Sequence, residues 1–433
     1  MALSLSVLRR RQSGGQRPSL SLDFLSGALD TAVTFTRAST ATYFNSAGVL
    51  TSAAINEPRA DYNPTTLAAR GLLVEEARTN GIRNNTMQGA AIGVPGTNPT
   101  NWSTTPNVTL NGIAREVAGF GTEDGISYID YRFSGTASAQ TDVSIRFEAL
   151  NAIAAASGQT WSHSFYSKLV AGSVGTLSAA FFYIIGTNGT TQTETIATIT
   201  YSPTSSALRT QRFTGTGTAA NASTTHVANG SILRVPNGVA VDFTIRIGLP
   251  QLELGAFATS VIPTTTVALA RSADVASITG ANFSSWYNAI EGTIVVSADT
   301  ASTSADAITR VFASIGDSAT FNESMYIAKS ASSTNLTVNV VDNGVAQWAS
   351  NTIGTISANT VFTLSFAYAV NNLGASLNGG IASTDSVATL PTVNTLTLGS
   401  SSWGGGNYLN GHIRAFKYYP RRLSNAELQA LTV

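Results

Sequence analysis

Ile126-Ser127-Tyr128-Ile129-Asp130-Tyr131-Arg132-Phe133 reads as a half-buried β-strand. Ile129, Tyr131 and Phe133, with Ser127, share one face. Ile126 and Tyr128 share the other with Asp130 and Arg132. Successive side chains of a strand point to opposite faces, so this alternation turns one apolar face to a core, as a half-solvated antiparallel sheet requires. Outward from it, β-forming segments recur near residues 143–147, 161–168, 178–185, 194–201, 208–213 and 241–249, parted by Gly, Asn, Ser and Thr. That spacing predicts a sandwich. The pattern restarts after residue 281, near 292–296, 310–315, 325–328, 336–341 and 362–370. At the end, Ser424 fits an N-cap, Glu427 the capping-box acid, and Leu423 and Leu428 the hydrophobic staple of a short helix. The expected class is all-β: an N-terminal region, then two antiparallel β-sandwich modules and a short C-terminal helix.

The composition suits that class. The chain has 433 residues, of which 43% are hydrophobic and only 11% charged, against the usual quarter or so. It can bury a full core, and its surface is polar but mostly uncharged. The net charge is zero, which favours neither nucleic acid nor an anionic membrane as partner. Arginine makes up 21 of the 24 basic residues, a bias that fits genome composition better than chemistry. The absence of cysteine excludes disulfides and thiolate metal sites. His163, His226 and His412 lack the spacing of a local metal motif. No metal and no cofactor are expected. No apolar run approaches the ~20 residues of a membrane span, so no membrane insertion is expected. Arg9-Arg10-Arg11 is not followed by the apolar stretch of a secretion signal.

No catalytic residues are assigned, and the chain reads as a non-enzyme. Glu75-Glu76 and Glu123-Asp124 are adjacent pairs, and neighbours on a strand point apart. Glu123-Asp124-Gly125 reads as a turn, with a calcium or sugar-hydroxyl role as the alternative. His163, between Trp161 and Phe165 on one strand face, reads as a core histidine, and His412 sits similarly before Ile413. No Gly-x-Ser-x-Gly elbow has a plausible partner. Gly404-Gly405-Gly406 lacks the Lys-Ser/Thr of a phosphate loop. A carboxylate pair meeting across a sheet, as a polysaccharide depolymerase needs, remains open.

Binding has better candidates. Aromatic rings can meet the apolar faces of a sugar while amide and charged side chains meet its hydroxyls. Trp403, Asn407 and Tyr408 lie on a Gly-rich loop, and Trp102 opens the middle module. These four are the glycan-binding candidates. The alternative for each Trp is a local packing plug. Gln347-Trp348 follows the turn Asp342-Asn343-Gly344, while Trp161 and Trp286 read as core.

Phe35-Thr36-Arg37-Ala38-Ser39-Thr40-Ala41-Thr42-Tyr43-Phe44-Asn45-Ser46-Ala47-Gly48-Val49-Leu50 reads as a hairpin over 33–50 with its turn at 45–48. Glu57, Arg59, Asp61, Arg70, Glu75, Glu76 and Arg78 follow, a dense cluster of both signs. It can brace a junction, or be a solvated loop. With Glu57-Pro58-Arg59, Arg70-Gly71-Leu72-Leu73-Val74-Glu75 and Ala77-Arg78-Thr79-Asn80, this order resembles a segment of tailed-bacteriophage structural proteins, found in head spikes, head fibres and minor tail proteins before lectin-like modules. Gly248-Leu249-Pro250-Gln251 through Pro263-Thr264 is similar to the exit of jelly-roll carbohydrate-binding modules. Leu409 through Leu428 is similar to the close of concanavalin A-like (laminin-G-like) sandwiches.

These resemblances imply an extended N-terminal arm over 1–32, an attachment region over 33–80 and a carbohydrate-binding-like module over 81–263. A connector over 264–280 and a concanavalin A-like module over 281–433 complete the expectation. Arg9, Arg10, Arg11 and Arg17 are the expected virion-attachment residues. A flexible tail is the alternative for the arm. The implied function is adhesion to host surface polysaccharide by a head or tail fibre or spike. Its other partners would be capsid, portal or tail proteins. It would be made in the host cytoplasm, released by lysis and displayed on the virion surface, with a homotrimer favoured. The alternatives are a purely structural decoration or connector protein and a depolymerase. A chain starting near residue 81 is expected to fold yet fail to attach.

Overall fold

The computed structural model describes residues 17–348, 351–403 and 406–433. Arg9, Arg10 and Arg11 lie outside the described residues, and Arg17 is exposed at their start. The fold is all-β, with its longer strands in four sheets that pair face to face as two sandwiches.

The middle sandwich grows from the alternating strand. Ile126–Thr136 buries Ile129, Tyr131 and Phe133 completely. It lies between Ile113–Glu123 and Ala240–Leu254, and Thr160–Gly172 and Arg212–Thr218 complete that side of the sheet. The facing sheet runs Gln192–Thr200, Ala179–Thr187, His226–Val235, Thr141–Arg146, Ser103–Thr105. All these pairings are antiparallel. The stretch expected as a strand at 208–213 is instead a 3-10 turn, Leu208–Thr210, before its strand. Asp124 and Gly125 form the expected turn, both at positive φ. A Cβ on Gly125 would strike the Leu50 carbonyl, so glycine lets this turn abut the N-terminal hairpin.

The second sandwich corrects the expected division of the chain. Its closing strand, Gly411–Tyr419, pairs on one side with Glu291–Ala298. On the other it pairs with Leu20–Asp23 and Ala69–Val74. Thr34–Thr36 extends the facing sheet beside Val275–Thr279. Leu20, Leu22, Phe24, Phe35, Leu72 and Val74 share one core with Ile278, Phe312, Phe366 and Phe416. From residue 20 onward the expected arm and attachment region therefore lend Leu20–Asp23, Thr34–Thr36, Ala60–Tyr62 and Ala69–Val74 to the C-terminal sandwich, while Ala41–Phe44 with Leu50–Ala53 and Arg78–Asn80 with Leu269–Arg271 form small sheets beside it. The expected connector likewise contains two strands, Leu269–Arg271 and Val275–Thr279. The middle sandwich is an insertion, entered and left where Arg78–Asn80 pairs with Leu269–Arg271. The hairpin is also narrower than 33–50: Ala41–Phe44 pairs with Leu50–Ala53, while Thr34–Thr36 leaves for the far sheet. A chain starting at residue 81 would lack the strands Leu20–Asp23, Thr34–Thr36 and Ala69–Val74 of the C-terminal module. Such a chain would uncover Phe416 and Tyr418 beside the missing strands.

The helix Asn425–Ala430 has the full capping box between Ser424 and Glu427. Leu423 and Leu428 are buried against Val295, Ala367 and Tyr419. No helix among the described residues is long and apolar enough to cross a membrane.

Candidate site at the module junction

The dense charges of residues 57–78 fold inward as ion pairs. Arg59 is fully buried, and its Nη1 donates to Glu75 at 2.7 Å, to Ser260 Oγ at 2.8 Å and to the Thr42 carbonyl at 3.1 Å. Its Nη2 binds Asp274, which Arg37 also contacts at 3.0 Å. Arg271 reaches Glu75 at 3.0 Å, and Ser260 N donates to Glu75 at 2.7 Å. Burial alone would raise the Glu75 pKa, but Arg271 and Arg59 hold it well below the usual carboxylate range. Beside it, Arg310 joins Glu76 and Asp306, each at 2.6 Å. The N-terminal segment, the exit of the middle sandwich and the C-terminal sandwich are thus clamped together by buried charge.

Beside this clamp lies a cleft of about 470 Å³ with one wall from each part of the chain. Tyr43, Phe44 and Arg70 come from the N-terminal segment. Tyr166, Arg212 and Thr214 come from the middle sandwich, and Asp299, Asn359 and His412 from the C-terminal one. A small apolar cluster supports it: Ile126, Tyr166, Leu208, Leu249 and Val261 are buried, with Phe44 and Leu50 packed on them. Its size is within the range of small-ligand sites.

His412 forms part of the lining. Its Nδ1 is 3.0 Å from Asp299 and its Nε2 3.0 Å from Asp61. Burial alone would lower the imidazole pKa, but Asp299 and Asp61 raise it above the ordinary value. The protonated ring is the form that can donate at both ends. Arg70 stands off at 3.6 Å from Asp61 and 3.8 Å from Asp299, without a hydrogen bond. Among the described residues Arg212 has no carboxylate partner. Its Nη2 donates to Ser164 Oγ at 2.9 Å and to the Thr259 carbonyl at 2.8 Å, and its Nη1 makes no hydrogen bond to the described residues. Tyr43 is half-buried, and Thr214 and Asn359 are exposed.

The aromatic candidates separate. Trp102 is 6% exposed, its indole N–H donates to the Asn84 carbonyl at 2.7 Å, and its ring meets Phe147 edge-on. It is a packing plug, which corrects its assignment as a ligand residue. Trp403 is half-buried, edge-on to Phe321 and Tyr326 at 5.0 Å each, with Phe321 itself exposed. Tyr408 faces other neighbours. Its carbonyl accepts from Arg310 at 3.2 Å, and burial raises its phenol pKa, with the charges of Asp274 and Glu76 adding to the effect. Asn407 is half-buried at positive φ, and its carbonyl accepts from Val311 N at 2.8 Å. Trp348, Trp161 and Trp286 are buried. His163 is buried in a ring cluster with Phe147, Phe165 and Phe182, and burial pushes its pKa down to about 3. It is a neutral core residue.

The cleft has no local signature in the sequence: Arg70 reads only as one of a charge cluster, and Arg212 carries no local signal. They meet because three distant segments converge. Among the described residues no cluster of His, Asp and Glu has the arrangement of a metal site.

No family model matches the chain, and no curated protein matches it in sequence. Solved structures show limited likeness. The CBM40 of Ruminococcus gnavus IT-sialidase, bound to α2,3-sialyllactose, is 17% identical over 34% of this chain and 84% of its own, with a TM-score of 0.28. The NanB sialidase of Streptococcus pneumoniae is 16% identical over 36% of this chain and 26% of its own, at 0.31. Mouse laminin α1 domains LG4-5 are 11% identical over 62% of this chain and 84% of theirs, at 0.23. Likeness at this level carries no inference about ligand or activity.

Proposed function

We propose that this chain is a surface protein of a tailed-bacteriophage particle, part of a head or tail fibre or spike, that holds host surface glycan without cleaving it. The observation that carries the binding reading is the junction cleft. Its walls are fixed by a buried ion network, and it offers aromatic rings beside unengaged hydroxyl, amide and guanidinium groups. Rigid walls lower the entropic cost of holding a flexible sugar. The virion assignment rests on the resemblance of residues 33–80 and on the sparse charge of the chain. Attachment to capsid, portal or tail falls to Arg17 and the residues before it. The cleft acids speak for binding over hydrolysis: Glu75 is held by arginines, and Asp61 and Asp299 by His412.

A glycan array with the full chain tests the reading, with Thr214→Tyr filling the cleft as the control. Array binding that survives this substitution would move the site elsewhere, and the Trp403 loop is the next place to test. Absence of reducing ends after incubation with host polysaccharide separates an adhesin from a depolymerase. A second reading, a structural connector bound only to virion subunits, draws on exposed apolar side chains of the C-terminal module, Ile290 at 75% and Val387 at 76%. In either reading we expect a homotrimer, and a monomer in light scattering at micromolar concentration would count against it.

A further inference from the structure

The charges of the junction cleft do not cancel. Asp61, Asp299 and a protonated His412 leave one negative charge, and Arg70 stands 3.6 Å from the nearer carboxylate to meet it. Glu75 is engaged by Arg59 and Arg271 from within the clamp. Arg212 remains, without an ion-pair partner among the described residues. Its position is fixed at Nη2 by Ser164 and Thr259, which leaves Nη1 to receive an anion. A guanidinium so held presents donors to a carboxylate at little cost in side-chain freedom.

We propose that the cleft binds a carboxylate-bearing saccharide, with the acid group on Arg212 and a sugar face on Tyr43. This deepens the glycan-binding reading and rests on it. Tyr43 is half-buried with its hydroxyl uncommitted, and Thr214 and Asn359 can meet ring hydroxyls. A bare inorganic anion would leave these three without a partner, which is why a saccharide is favoured.

The test is calorimetric titration of the full chain with oligogalacturonate, hyaluronan and alginate fragments and with the methyl ester of each. The methyl ester keeps the sugar and removes the charge. At least one acid should bind about tenfold or more tighter than its ester, the effect of one or more charge-assisted hydrogen bonds. That margin should shrink with added salt and vanish in Arg212→Gln. Thr214→Tyr keeps every charge and should abolish binding of both forms at an unchanged melting temperature. Equal binding of acid and ester, lost in Thr214→Tyr, would overturn the acid specificity while leaving the glycan reading intact. No binding of any member of this panel, or binding indifferent to Thr214→Tyr, would overturn this assignment of the cleft. Inorganic phosphate competing as well as the acids do would also overturn it, showing an anion site without sugar recognition.

Discussion

Arg59→Met separates buried electrostatics from packing in this fold. Methionine keeps much of the side-chain bulk and removes the charge. Glu75 and Asp274 then stay buried with one cation fewer. Breaking a buried pair from one side costs about 3–5 kcal/mol, because the remaining charge cannot reach water. Here Arg271 still holds Glu75 at 3.0 Å and Arg37 still holds Asp274 at 3.0 Å. The expected loss is therefore at the lower end, about 3 kcal/mol. For a domain of ~200 residues that lowers Tm by roughly 6–12 °C. The effect has a pH signature. The Glu75 pKa in the folded protein is depressed, so its contribution is present above its ordinary value of 4.5 and is lost as pH falls through the folded value. Without Arg59 that folded value rises, and the variant loses less on acidification. Scanning calorimetry of both proteins at pH 7.5 and then from pH 5 down to pH 2 should show the gap narrowing in acid. A shift below about 2 °C at pH 7.5, or a gap that widens in acid, would refute this account of the clamp.

Other outcomes follow from the same structure. Residues 81–265 alone should melt cooperatively, because the middle sandwich has its own core, whereas a chain starting at residue 81 should expose its C-terminal part to limited proteolysis. The His412 pKa is raised in the fold, so its stabilisation is complete below the ordinary 6.5 and lost as pH rises through the folded value. Tm should decline across that window in the wild type, and His412→Gln should flatten the decline. Trp102→Ala should cost about 3–5 kcal/mol in urea denaturation as a buried plug. Trp403→Ala should cost about 1–3 kcal/mol, from two edge-on ring contacts at about 0.5–1.5 kcal/mol each.

Local chemistry was enough for the elements themselves. Period-two alternation at 126–133 gave a strand with the expected face buried, Asp124-Gly125 gave its turn, and Ser424 with Glu427 gave the capped helix. Each depends on atoms within a few residues, so each was legible in the sequence. The assignment of Trp102 failed because a polar sequence neighbourhood says nothing about whether Asn84 and Phe147 arrive from elsewhere to cover the ring. The division of the chain was illegible for the same reason. Leu20–Asp23 is four residues long, and its partner Ala415–Tyr418 lies almost 400 positions away. A strand that short carries too little pattern to declare its sheet, and β-pairing has no sequence-local signature. The sequence by itself determined an all-β chain, its turns, its capped helix and a cluster of charges able to brace a junction. Only the tertiary structure decided that the N-terminal strands complete the C-terminal sandwich, that Arg59 is sealed between Glu75 and Asp274, and that Arg212 lines the cleft without an ion-pair partner among the described residues. Those facts depend on which distant surfaces exclude water from one another.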